Sequence, residues 1–561
     1  MPFKSSLPDI DLFSGNILSY LFPPGTSHKD EKQLWIDAKD SNKSISASQT
    51  RTLIGRLALG LDKLRVPKST AVMVVAPNNI YVPVVYLAAA GSGRFFTAAN
   101  PAYTVGELVH QMKTIRAEIV LADPCSLDKV TQAAREAGIS QERIFDFSDN
   151  GSSNNSHRVK GWWSILAPEA EGAQWQWDPM TSGSTAQDTV AVVNFSSGTT
   201  GLPKGVCITH AQICANAAQI IHARMTGTAQ SVSNPDDDRW LAFLPWYHAY
   251  AQMFTIMVTC KLRQSVYAMA QFQLEPYIEY IGKYQITTLQ VVPPVLVMLN
   301  KRPGTEDCNV KSVKYVMSAA APLKRDLQND IAQKLGTVIA QSWGMTETTC
   351  TGTMYQGLEE DQTGSVGCLL PNTEAKLVDE DGEEVETGKS GELWVRGPQM
   401  MLRYWENEDA TKNTLTNDGW LKTGDVAEEK DGRIWIVDRR KELIKVRGFQ
   451  VAPAELEAVL LDHPDVADCA VVGLAVGDDG EERPRAYIAL QKDASSRNGE
   501  AVRAVENYFT EKVARHKRLI GGISVVETIP RLLSGKIQRK VVKEWAKKDS
   551  QDFQGKTRPK L

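Results

Sequence analysis

The chain has 561 residues, 42% of them hydrophobic and 23% charged, with a formal net charge of -4. That length exceeds what one core organises and predicts two or more domains of a soluble globular enzyme. A balance of 63 Lys+Arg against 67 Asp+Glu leaves no basic excess for nucleic acid, and eight scattered cysteines with no Cys-x-x-Cys pair argue against zinc and for reduced thiols in an intracellular compartment.

The first residues, MPFKSSLPDIDLFSG, have no apolar core of the kind a signal peptide needs. The most apolar segment, Ala71–Gly91, is broken by Pro77-Asn78-Asn79 and Pro83, and reads as strand, turn and helix rather than a membrane span. Short apolar runs such as Thr70–Val75, Ile119–Ala122, Val190–Phe195 and Thr288–Val292 alternate with amphipathic stretches, the pattern of βα units on a mostly parallel sheet. Asn150–His157 is a polar loop, and Ser182-Gly183-Ser184-Thr185 reads as a linker.

Val190–Phe195 leads into Ser196–Gly205, SSGTTGLPKG. Glycines let the backbone approach a ligand, and a loop of this kind aims N–H groups and hydroxyls at phosphate oxygens. Ser196, Ser197, Gly198, Thr199, Thr200 and Gly201 form its body, and Lys204 adds a full positive charge. A Walker A loop requires Ser or Thr directly after the lysine, and here Gly205 follows, so this is a phosphate loop of another kind.

Further along, Tyr247-His248 follows Leu244-Pro245-Trp246, and Ser318–Leu323 reads SAAAPL. Gln341–Glu347 reads QSWGMTE after the apolar Val338-Ile339-Ala340; Trp343 offers a face for a purine, and Glu347 is a hard oxygen donor suited to magnesium. From about Gly364 the texture changes to short strands between Asp-Gly and Gly-Lys turns, predicting a small antiparallel or barrel-like piece. Asp425, in Thr423-Gly424-Asp425, is placed on a tight glycine turn where it can accept from two ribose hydroxyls. Asp438–Gln450 is dense in cations, yet its Leu443-Ile444 pair and Gly448 predict a hairpin rather than a solvated basic face. Pro453–Leu461 is helical by periodicity, Val466–Leu474 and Ala486–Leu490 are strand-like, and Pro530–Ile537 presents Lys536 after a Ser-Gly turn.

Taken in this order, these stretches resemble the adenylate-forming superfamily of acyl- and aryl-CoA synthetases, adenylation domains and beetle luciferases. The likeness is closest to 4-coumarate-CoA ligases, whose KELIK and GFQVAPAELE segments are similar to Lys441–Lys445 and Gly448–Glu457. The resemblance implies an α/β fold: a large N-terminal domain of parallel βα sheets with a small barrel-like piece (residues 1–438), hinged at Asp438–Arg440 to a small α+β C-terminal domain (439–561). It implies an ATP-dependent acid–CoA ligase that makes an acyl-adenylate and then a thioester, releasing AMP and pyrophosphate. Its substrate would be an aryl, cinnamic-type or medium-chain acid. ATP, Mg2+ and CoA are the implied cofactors and co-substrates.

Residue by residue, Lys536 would bridge carboxylate and α-phosphate in the first step. Lys445 would replace it after the C-terminal domain rotates. Glu347 with Thr200 would hold magnesium. Gln341, Trp343, Thr346, Asp425, Arg439, Lys441, Gly448, Gln450 and Ala320 would join the phosphate loop around nucleotide and CoA. Tyr247, His248, Ala319, Ala320 and Trp343 would line the acid pocket near Cys350. In the family tryptophan is usually tyrosine, Ala319 is usually glycine, and Arg531 is usually lysine. An adenylating enzyme that loads a carrier protein or performs luciferase-like oxidation is the alternative; a catalytically inert nucleotide-binding protein is the more distant one. The C-terminal Pro559-Lys560-Leu561 matches two of three positions of the Ser-Lys-Leu peroxisomal address, implying an import receptor and a peroxisomal location, with a frayed cytoplasmic terminus as the other reading.

Overall fold

The computed structural model describes every residue except 1, 26–29, 150–158, 182–184, 197–202, 227–236, 306–307, 387, 447–448, 476–481, 533–534 and 557–561; the side chains of 449, 450, 516 and 550–556 are also outside the description. The polar 150–157 loop, most of the Ser182–Thr185 linker, the body of the phosphate loop and the C-terminal tripeptide therefore lie outside the described residues.

Two large sheets organise the N-terminal part. One has eight strands, in the order Arg403–Tyr404, Lys204–Thr209, Val190–Ser196, Phe95–Ala99, Ala71–Val75, Ala117–Ala122, Ile144–Asp146, Lys160–Gly161. It is parallel apart from the pairings made by Lys204–Thr209. The second has seven strands, in the order Val338–Gln341, Tyr315–Ser318, Thr288–Val291, Arg239–Ala242, Ser265–Ala268, Gln33–Asp37, Ser44–Ser46, parallel but for the last pairing. Central strands such as Ala71–Val75 are apolar at every position because helices cover both faces of a parallel sheet. Val82–Gly91 is buried along its whole length, with Pro83 in its first turn where no amide donor is needed. It belongs, with strands of both sheets, to one hydrophobic core.

The region after Gly364 supplies Glu374–Val378, Gly391–Arg396, Leu421–Lys430 and Arg433–Arg439 to a five-stranded antiparallel sheet completed by Phe3–Lys4. This is the expected small antiparallel piece, with a strand order that ends on Phe3–Lys4 and Arg433–Arg439. The C-terminal domain has its own core, built from the hairpin Ile444–Val446 with Phe449–Val451, the helix Pro453–Leu461, the strands Val466–Ala475, Glu482–Leu490 and Ile523–Val525, and the helix Asn498–Lys512. The helix Arg539–Lys556 packs on Val466–Ala475. Among the described residues no helix is long and apolar enough to cross a membrane.

Candidate active site

In the seven-stranded sheet the carboxyl ends of neighbouring parallel strands open on one side, where ligands of open α/β sheets sit. Gln341 ends one strand and delivers Trp343; Ser318 ends the next and delivers Ala319 and Ala320; Ala242 ends another, and Tyr247-His248 follows. The topology thus gathers sequence stretches separated by about a hundred residues. Ala320 sits there with φ 72°, in the left-handed region a non-glycine residue adopts only under tertiary constraint.

Above these ends lies a cleft of about 2370 Å³ between the N-terminal part and the C-terminal domain, lined among others by Ala320, Trp343, Asp425, Arg439 and Lys536. Trp343 is buried, its ring packed on Gly352, where an added Cβ would meet Cζ3 at 2.5 Å. Its indole Nε1 donates to Oδ2 of Asp425 at 2.8 Å, and Arg439 Nε lies 3.4 Å from the other carboxylate oxygen. Burial works against the Arg439 charge, but Asp425 and Glu442 hold its pKa above the ordinary guanidinium value.

Asp425 does not sit on a simple tight turn, as its glycine neighbour suggested. It lies within the ten-residue strand Leu421–Lys430, which shifts register where Glu392 pairs with Val426 and Trp394 with Lys422. Gly424 takes φ 73° at this bulge. The extra residues kink the strand and aim Asp425 at Trp343.

Gln341 lines the cleft as well as bracing the strand that it ends. Its amide donates to Leu323 O at 3.0 Å and to Gln328 Oε1 at 2.8 Å, which engages it in bracing the strand end. Glu347 is buried in the short turn Thr346–Thr348, and its Oε1 accepts from the Tyr404 hydroxyl at 2.8 Å. Lys204 opens its strand opposite Ser196, so the described residues on either side of the loop body pair antiparallel, and Lys204–Thr209 is a strand where a Walker A loop would have a helix. Lys204 Nζ stands over the Tyr404 ring, 4.8 Å from its centroid. Tyr404 was invisible to motif reading: its strand is two residues long, inside the apolar MMLRYW run.

His248 Nδ1 accepts from the Tyr250 N–H at 3.3 Å, which places the proton of the neutral ring on Nε2. Burial, reinforced by the Lys536 ammonium, lowers its pKa to about 3. The ring therefore stays neutral near pH 7 and is a donor through Nε2. Tyr247 is half-buried beside it, with burial and Tyr103 raising its phenol pKa. Ala319 and Cys350 are buried.

Lys536 reaches the cleft from the C-terminal domain. Its loop is pinned by Arg531, which grips both oxygens of Asp468 (2.8 and 2.7 Å) and donates to Gly535 O at 2.7 Å. A bidentate charged pair of this kind fixes orientation as well as distance. Gly535 has φ 80° and lies against Val292 of the N-terminal part, where a Cβ would fall 2.9 Å from Cγ2. Burial and the Arg439 charge lower the Lys536 pKa to about 8, against the raising pull of Asp425, Glu347 and Glu442.

Lys445 is exposed on the hairpin strand, its backbone N–H donating to Glu482 at 3.0 Å. Lys441 is exposed at the cleft rim. The Gln450 side chain and Gly448 lie outside the described residues, as do Ser197, Gly198, Thr199, Thr200 and Gly201. Asp438 accepts from the N–H of Arg439 (2.6 Å) and of Ala454 (3.1 Å), so a residue of the expected hinge caps the first turn of a C-terminal-domain helix. Lys324 pairs with Asp462 and Lys301 donates to Val466 O, bonds that also cross between the two parts.

The comparisons define the class: an ATP-dependent, AMP-forming acid–CoA ligase, with ATP and CoA as substrates. The chain belongs to the AMP-binding enzyme family: that family matches residues 26–405, and the AMP-binding enzyme C-terminal domain matches 455–536. Among its relatives, the acyl-CoA ligase azaF of Aspergillus niger is 34% identical over 95% of this chain and 98% of its own. The phenylacetyl-CoA ligase epaB of the same species is 33% identical over 95% and 97%. 4-coumarate–CoA ligase 4 of Arabidopsis thaliana is 34% identical over 96% and 93%. The crystal structure of ATP-bound MatB from Rhodopseudomonas palustris superposes with a TM-score of 0.80 at 25% identity, covering 96% of this chain and 100% of that one.

Proposed function

We propose that this ligase activates an aryl, cinnamic-type or medium-chain carboxylic acid, and that the arrangement described is the one that forms the acyl-adenylate. The observation that carries this reading is Lys536 standing in the cleft with Arg439, Asp425 and Glu347 as its charged neighbours. The acid's carboxylate attacks the α-phosphorus of ATP, a new C–O–P link forms, and pyrophosphate leaves with the electron pair of the broken P–O bond. Both reactants are anions, so fixed positive charge is needed where negative charge builds. Lys536 lies between the two, His248 Nε2–H donates to the carboxylate, and Asp425 with Arg439 holds the ribose. Ser196, Lys204 and the intervening loop hold the outgoing phosphates.

Glu347 suits a magnesium ion bound mainly by nucleotide oxygens. One of its oxygens is engaged by Tyr404, the other has no partner among the described residues, and no cluster of three metal-ligating side chains exists among them. Glu347, with Thr200 of the loop, would hold such an ion, which would offset phosphate charge.

In the second step the CoA thiolate displaces AMP. We place Lys445 in that step: it is exposed here and would reach the site only after the C-terminal domain turns at Asp438–Arg440. An acceptor other than CoA is tested by offering a phosphopantetheine carrier in its place. An acid panel read by pyrophosphate release tests the substrate class. Aryl, cinnamic-type or medium-chain acids should give release well above acetate, and preference for short acids would refute the assignment. The terminal Pro559-Lys560-Leu561 is proposed as a peroxisomal address; unchanged cytosolic fluorescence of a fusion before and after its deletion would remove that reading.

A further inference from the structure

The strand Arg403–Tyr404 is stitched to both halves of the phosphate end of the site. It pairs antiparallel with the strand that Lys204 opens, Val206 opposite Tyr404, and Trp405 N–H donates to Gly205 O at 2.7 Å. Just before it, Met401 N–H donates to the backbone carbonyl of Glu347, also at 2.7 Å. Tyr404 itself is only 5% exposed, and so is Glu347. One face of its ring carries the Lys204 ammonium, and its hydroxyl donates to Glu347 Oε1. A single phenol thus touches the cation and the anion of the phosphate end at once.

Lys204 and Glu347 contact different parts of one side chain, the ring face and the hydroxyl. Among the described residues no ion pair joins Lys204 to Glu347. The ring quadrupole attracts the ammonium without cancelling its charge. The phenol O–H occupies one carboxylate oxygen and leaves the other for an incoming cation.

We propose that Tyr404 is a positioning residue that keeps Lys204 and Glu347 apart and separately oriented, one for the outgoing phosphates and one for the magnesium they carry. The inference rests on the roles given above to Lys204 and Glu347. It concerns ATP beyond its AMP moiety, because the roles proposed for Lys204 and Glu347 are toward the outgoing phosphates and their magnesium.

The test is calorimetric binding of Mg·ATP and of AMP to the full chain without acid, so that no turnover occurs. AMP shares the base, ribose and α-phosphate and serves as the internal control for folding and site integrity. Tyr404→Phe keeps volume and ring and loses only the hydrogen bond. It should weaken Mg·ATP about tenfold, the effect of one hydrogen bond to a charged group, while AMP stays within about twofold. Tyr404→Leu removes the ring as well and should weaken ATP measured in chelator, which Tyr404→Phe should leave nearly unchanged, because Lys204 then loses its support. Equal losses for AMP and Mg·ATP in Tyr404→Phe would mean a general packing role and overturn the proposal. Lys204→Ala and Glu347→Gln separate the two levels. If both weaken Mg·ATP and Tyr404→Phe does not, the positioning role fails alone. If neither weakens it, the roles of Lys204 and Glu347 fail and the positioning role fails with them.

Discussion

The indole of Trp343 and the carboxylate of Asp425 form a buried 2.8 Å hydrogen bond that joins the loop after one sheet to a bulged strand of another. Asp425 therefore arrives with one oxygen oriented by Trp343 and the other beside Arg439. The common tyrosine of the family would offer a phenol at this place; here the aromatic residue is a nitrogen donor without acceptor capacity.

Replacing Trp343 by Phe keeps a face for the base and removes the donor. kcat/KM for ATP should fall about tenfold, the size expected when a charged acceptor loses a buried partner. The preference for ATP over an analogue lacking a ribose hydroxyl should narrow at the same time, because a freed Asp425 carboxylate no longer presents one orientation. An unchanged preference alongside reduced activity would assign Trp343 to packing alone.

In the role proposed for it, Lys536 must carry its proton to offset the carboxylate and the α-phosphate. Its pKa in the free enzyme is lowered to about 8, so its charge is present below that value and lost as pH rises through it. kcat/KM for ATP in pyrophosphate exchange, which reports the free enzyme, should decline on the alkaline side of about pH 8. Thioester formation from supplied acyl-adenylate should not show that limb. His248, with its pKa lowered to about 3, should contribute no break between pH 5 and 7.

Gly535 meets two demands at once: a φ of 80° and contact with Val292 across the cleft. Gly535→Ala adds left-handed backbone strain of about 1–2 kcal/mol in the arrangement described. The Val292 clash is added only when Lys536 is in the cleft. Pyrophosphate exchange should fall by more than tenfold in total, while conversion of supplied adenylate to thioester falls less. Equal losses in both half-reactions would contradict the view that this contact is specific to adenylation.

Local residue order singles out Glu347 and Lys536, and the structure brings the two within electrostatic reach of each other. The hairpin around Leu443-Ile444 and the helix Pro453–Leu461 were likewise legible in local pattern. What spacing does not carry is partnership at long range. Arg531 finds Asp468 sixty-three positions away, and Tyr404 finds Glu347 at fifty-seven. Asp425 reads as a turn residue because Thr-Gly-Asp is turn-like by composition, whereas strand pairing absorbs the glycine as a bulge. Gln341 lines the cleft, and its amide nitrogen is at the same time engaged by the distant acceptors Leu323 O and Gln328 Oε1, which spacing could not show.

In the proposed mechanism one mobile domain lends two different lysines to two chemical steps. The most direct measurement is of both half-reactions, acid-dependent pyrophosphate exchange and thioester formation from supplied acyl-adenylate, in Lys536→Ala and Lys445→Ala. Lys536→Ala should lose exchange and still make thioester, and Lys445→Ala should keep exchange and be impaired in thioester formation. Parallel loss of both activities in both variants would contradict it.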